Sequence, residues 1–120
     1  MRRKNVMVLK NDQIIINDAK LADTFLLRLF GLMPTKSLNK NSGLILKNCK
    51  QIHTFNMKYS IDAIFLSRDN TIIHIEHKLA PNRMTKYYSF TDSILEVAAE
   101  TASEHGLMVG DTLTIVENTI

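Results

Sequence analysis

Four side chains in the middle of the chain, Cys49, His53, Asp62 and His77, have the chemistry to hold a metal ion or to run a nucleophilic reaction. A thiolate, two imidazoles and a carboxylate are ligands that a tetrahedral zinc accepts. The spacing Cys49-x3-His53 supplies a sulfur and an imidazole, and Asp62 with His77 would complete the set. The same residues allow an enzymatic reading, with Cys49 as nucleophile, His53 or His77 as its base and Asp62 orienting the imidazole. Lys47 and Lys50 lie next to the cysteine and would favour its thiolate. The plainer reading is structural: a buried thiol, a hydrogen-bonded histidine and an Asp–His pair at the edge of a core. Zinc sites are usually built from two close ligand pairs, whereas His74 and His77, three apart on a strand, point to opposite faces. The expectation is therefore no catalytic set and no cofactor, with zinc the ion suited to Cys49, His53, Asp62 and His77 should they converge.

A strand over His53–Lys58 would place His53, Phe55 and Met57 on one face. These would line an apolar groove beside Gly31-Leu32-Met33, and with Asp62 and His77 they form the candidate ligand-binding set. The segment Arg83-Met84-Thr85-Lys86-Tyr87-Tyr88 is basic and aromatic, but the other cationic residues are spread along the chain. Nucleic-acid binders concentrate them, so the segment reads as a loop whose tyrosines cover the core edge, and no nucleic-acid partner is expected.

The elements that must position these residues are short. Val6–Lys10 and Gln13–Asn17 form an opening hairpin around Asn11-Asp12. Leu21, Phe25, Leu29 and Leu32 recur at helical spacing, which predicts one amphipathic helix over Asp23–Met33, ended by Pro34. Six β-prone runs follow: Gly43–Lys47, His53–Lys58, Asp62–Ser67, Thr71–Lys78, Ile94–Ala98 and Thr112–Glu117. A two-residue turn at Asp69-Asn70 would pair Leu66 with Ile73, Phe65 with His74, Ile64 with Ile75, Ala63 with Glu76 and Asp62 with His77. Thr101-Ala102-Ser103-Glu104 has the spacing of a capping box, which predicts a single helical turn over 102–105 tied off at Gly106. The fold class is mainly β with one main α-helix: a compact antiparallel β-sandwich or barrel-like single domain spanning residues 1–120.

Bulk properties agree. A chain of 120 residues with 45% hydrophobic and 22% charged residues buries a core without staples. One cysteine forms no internal disulfide, and the longest N-terminal apolar run, Val6–Leu9, is too short for an export signal or a membrane span. The expectation is a soluble, cytoplasmic protein.

Arg28-Leu29-Phe30-Gly31-Leu32-Met33, Gly43-Leu44, Phe55-Asn56-Met57-Lys58, Ile61-Asp62, Phe65-Leu66, Ile94-Leu95-Glu96 and Gly106-Leu107 with Gly110-Asp111 occur in this order over residues 20–115. In this the chain resembles the bacterial and archaeal family known as domain of unknown function 192. It departs from the family pattern at Pro34-Thr35-Lys36, where many members have an aromatic residue and an arginine, and at Tyr59-Ser60-Ile61, which replaces a Thr-x-x-Pro lead. The resemblance implies a compact β-sandwich-like fold with one main helix and no established activity. Some members are encoded near secretion or pilus machinery, which implies a protein partner in that setting. The expected function is a non-catalytic binding or accessory module for a protein or small ligand. A metal-binding domain and a cysteine-dependent enzyme are the alternatives.

Overall fold

The computed structural model describes residues 4–22 and 38–118. The helix expected over Asp23–Met33, with Gly31-Leu32-Met33 and the groove drawn beside it, lies outside the described residues. Strand β1 (Lys4–Lys10) and strand β2 (Gln13–Ala22) form the expected hairpin. Asn11 and Asp12 at its turn have φ of 49° and 67°, the double left-handed geometry that matches strand twist. Then come β3 (Ser42–Lys47), β4 (Ile61–Leu66), β5 (Ile72–Leu79), β6 (Ser93–Ala98), the one-turn helix α1 (Thr101–Glu104) and β7 (Thr114–Glu117).

All seven strands join one sheet in the order β5-β4-β6-β3-β2-β1-β7. Every ladder is antiparallel except β2 with β3, which is parallel. The inner face gathers Val6, Val8, Ile16, Ile45, Ile64, Leu66, Ile72, Leu95, Val97 and Leu113 into one cluster, so the sheet must curl around it. Its two edges approach where Thr71 bridges Thr112 and the Ile72 amide donates to the Asp111 carbonyl at 2.7 Å. No continuous ladder joins β5 to β7, and the sheet is not closed into a barrel.

A second cluster lies on the outer face of β3, β4 and β6, with Leu44, Leu46, Ala63, Phe65 and Ile94 beneath Ile52 and Met57. Both faces of β4 and β6 are therefore covered, and all six residues of each strand are buried. That explains why these segments read as nearly continuous apolar runs, without hydrophobic alternation. It also leaves Asp62 and Glu96 in the interior.

Four expectations need correction. The hairpin between β4 and β5 turns through three residues, 68–70, and only Asn70 has positive φ, at 65°. The Asn70 amide donates to the Ser67 carbonyl at 3.0 Å, and the Ser67 amide donates to the Thr71 carbonyl at 2.9 Å. This loop carries a bulge that sets Leu66 opposite Ile72. Phe65–His74, Ile64–Ile75 and Ala63–Glu76 pair as expected, but Asp62 does not pair with His77. A second bulge intervenes, with Lys78 at φ 49° and Ile61 opposite Leu79. The extra residue turns the Lys78 amide onto Asp62 Oδ1 at 2.9 Å and leaves His77 exposed.

The run His53–Lys58 is not a strand. Only His53 pairs, in an isolated bridge with Met84, before the chain turns at Phe55-Asn56 with Asn56 at φ 67°. The helical turn forms and Gly106 closes it at φ 63°, but no capping box does. The cap comes from 40 residues away, where Asp62 Oδ2 accepts the Ala102 amide at 2.9 Å.

Candidate functional site

The loops 48–60 and 80–92 zip together into a flap over the outer face of the sheet. The Thr54 amide donates to the Arg83 carbonyl at 2.8 Å and the Thr85 amide to the Ile52 carbonyl at 2.9 Å. The Tyr88 amide donates to the Lys50 carbonyl at 3.0 Å, and Gln51 Nε2 donates to the Thr85 carbonyl at 2.8 Å. Buried Thr54 fastens the centre: its hydroxyl donates to the Ala80 carbonyl at 2.6 Å and accepts the Arg83 amide at 2.9 Å. Backbone amides that would otherwise lose water unpaired are satisfied inside the flap, which makes it an ordered layer.

Alternation along this short ladder separates two sets of side chains. Ile52, Thr54 and Thr85 point inward and are buried, whereas His53 and Met84 share the outward side. Met84 is 62% exposed, and Phe55, 44% exposed, stacks on His53 with ring centroids 4.6 Å apart. Tyr87 and Phe90 stand in water on the neighbouring stretch. Three large apolar or aromatic side chains thus meet solvent around one backbone bridge.

Beneath the flap, Tyr88 ties it to the sheet. Its ring stacks on His74 at 4.3 Å and meets Phe65 edge-on at 5.0 Å. His74 Nε2 lies 2.5 Å from Glu76 Oε2, and the Tyr88 hydroxyl lies 3.1 Å from the same nitrogen. Glu76 and Glu96 both stand opposite Ala63, so the two glutamates share the outer face on either side of a small residue. Glu96 is 5% exposed, and burial alone pushes its carboxyl up to about 8. No hydrogen bond or ion pair from the described residues reaches that carboxyl group.

The expected site residues do not come together. Asp62 belongs to the inner face, where Val97 stands opposite it and both oxygens accept backbone amides. Cys49 packs at the outer cluster on the other side of the sheet, and its Sγ donates to the Gln51 carbonyl at 3.2 Å. His53 faces outward on the flap, and His77 is exposed at the β5 bulge. Among the described residues no group of three or more His, Cys, Asp or Glu side chains is placed to hold a metal ion. Of the ligand-binding set, His53 and Phe55 stay together, while Met57 is buried as an anchor of the flap.

Met84 and Glu96 were not among the expected site residues. For Met84 the signal was present in the basic, aromatic segment 83–88, whose pairing with 52–54 has no local signature. For Glu96 the signal is a carboxylate inside Ser93–Ala98, a run otherwise short of polar residues.

A family model for domain of unknown function 192, described as Uncharacterized ACR, matches residues 6–115. No curated protein matches the chain. The fold is similar to that of a crystallised protein of unknown function from Novosphingobium aromaticivorans DSM 12444. That pair has a TM-score of 0.80 and 21% identity, covering 93% of this chain and 84% of the other. It is also similar to a Sinorhizobium meliloti 1021 protein described as a candidate transcription regulator, with a TM-score of 0.80 and 20% identity over 94% of this chain and 93% of that one. At these identities the likeness is one of fold. No helix among the described residues is long and apolar enough to cross a membrane.

Proposed function

The chain belongs to the domain of unknown function 192 family, and on that premise we propose that it is a non-catalytic binding module that engages a protein partner through its flap. The observation that carries this reading is the outward trio of His53, Phe55 and Met84 on a hydrogen-bonded loop pair. Exposed apolar groups cost free energy in water that a partner recovers by covering them, at about 25 cal/mol per Å² of apolar area buried. Aromatic residues and methionine are enriched in the cores of protein interfaces, and a few such anchors carry most of the binding energy. The backbone ladder beneath them is already formed, so little ordering entropy is spent on association.

The test is a random peptide display selection against the whole protein and against the double variant Phe55→Asp with Met84→Asp. Both positions face solvent, so the variant is expected to melt within a few degrees of the parent. Peptides enriched on the parent are expected to lose at least tenfold in affinity for the variant. Enriched peptides that bind both proteins equally would place the binding surface elsewhere and remove the proposal.

A further inference from the structure

Resting on that reading, we infer that the partner presents an acidic segment, because the flap joins its outward Phe55 and Met84 to all of the chain's excess positive charge. Residues 48–60 and 80–92 contain Lys50, Lys58, Arg83 and Lys86 against a single acidic residue, Asp92, at the end of the second loop. The chain carries 15 basic and 12 acidic side chains, a net +3, so the flap holds all of that excess and everything outside it sums to zero. Neutralisation by neighbours is limited. Lys50 Nζ donates to the carbonyls of Ser89 and Thr91, at 3.0 and 2.7 Å, rather than to a carboxylate. Lys58, Arg83 and Lys86 are exposed. Glu76 beneath the flap engages His74, and Asp92 at its margin pairs with Lys47.

The flap thus combines exposed apolar side chains with four cationic ones. A complementary partner places apolar residues on Phe55 and Met84 and carboxylates against these cations, where the charges steer encounter and select the partner. A peptide suits this surface better than a nucleic acid. One ring face of Phe55 is already covered by His53, which halves its use as a stacking platform for bases, so Tyr87 and Phe90 are the rings that the oligonucleotide competition below tests. Met84, exposed beside His53, is an adaptable side chain of a type enriched in protein interfaces.

The display selection decides this as well, through the composition of the enriched peptides. They are expected to be net negative, with at least one large apolar residue. Their affinity should fall at least tenfold on Arg83→Glu with Lys86→Glu, and severalfold as salt rises from 50 to 300 mM. A fluorescent dT20 oligonucleotide and vesicles of phosphatidylserine with phosphatidylcholine serve as competing anionic probes. Binding of either probe more tightly than the enriched peptides would overturn the inference in favour of a nucleic acid or a lipid surface. Enriched peptides that are neutral or basic, yet still lost on Phe55→Asp with Met84→Asp, would overturn the acidic partner and leave the binding surface standing. Peptides indifferent to both double variants would overturn both.

Discussion

Glu96→Gln is expected to make the protein more stable at neutral and alkaline pH, and to flatten its dependence on pH. Glu96 sits between Ala63 and Leu44 on the covered face, 5% exposed, and its carboxyl is raised from the ordinary 4.5 to about 8 by burial. Between those two values the unfolded chain has released this proton while the folded chain still holds it. The unfolded state then binds fewer protons, so stability falls as pH rises through that window. Below 4.5 the ionisation penalty vanishes, since the group is neutral in both states. At about 1.4 kcal/mol per tenfold change in proton affinity, the full loss is on the order of 5 kcal/mol above pH 8, and roughly 3 kcal/mol at pH 7. Glutamine has nearly the same shape and no charge at any pH. Urea unfolding at intervals from pH 4 to 9 is expected to give matching stabilities near pH 4, with the variant increasingly ahead at higher pH. Parallel curves for the two proteins would show that Glu96 is not the titrating group.

Asp62→Ala is expected to cost roughly 3–5 kcal/mol. The buried carboxylate accepts the Lys78 amide on Oδ1 and the Ala102 amide on Oδ2, both at 2.9 Å. One oxygen holds the bulge in β5 and the other caps α1, which otherwise has no side-chain cap. Removing the side chain strands the Ala102 amide in the interior and unpairs the Lys78 amide at a part-buried position, at about 1–3 kcal/mol each, and loses bonds to a carboxylate of similar individual worth. Asp62→Asn should fare little better, because one end of the amide is an NH2 group that faces a donor. Against the 5–15 kcal/mol typical of a domain, either change is severe. Thermal and urea unfolding measure it. A loss below about 1 kcal/mol in Asp62→Ala would mean that other groups hold the bulge and the helix turn.

These two residues mark where sequence reasoning stopped. The strands were legible because Ile, Leu, Val and Phe recur in short runs between turn residues, and Phe65–His74, Ile64–Ile75 and Ala63–Glu76 pair as their order implies. Asp62 was legible as a carboxylate at a core edge, but its partners were not. The bulge at Lys78 depends on a single left-handed residue of a type that rarely adopts it, and no residue pattern announces it. His53–Lys58 misled for a related reason: alternation in His53-Thr54-Phe55 suits a strand, while Asn56 at φ 67° turns the chain before Met57. The inward face of the short ladder that replaces it, Ile52 and Thr54 with Thr85, comes from segments about 30 residues apart. Such long-range pairing is fixed by burial of the whole face. Cys49, His53, Asp62 and His77 had suitable chemistry, but strand alternation puts Asp62 on the inner face, the β5 bulge leaves His77 exposed, and the loop pair carries Cys49 and His53 over the other side of the sheet.

The most direct measurement of the proposed role is the amide chemical-shift footprint of an enriched peptide on isotope-labelled whole protein. The largest changes are expected on residues 52–56 and 82–88, with the β1–β2 hairpin and β7 undisturbed. A footprint centred on β7, the β1–β2 hairpin or the loop from Leu107 to Asp111, with the flap amides unmoved, would contradict that role.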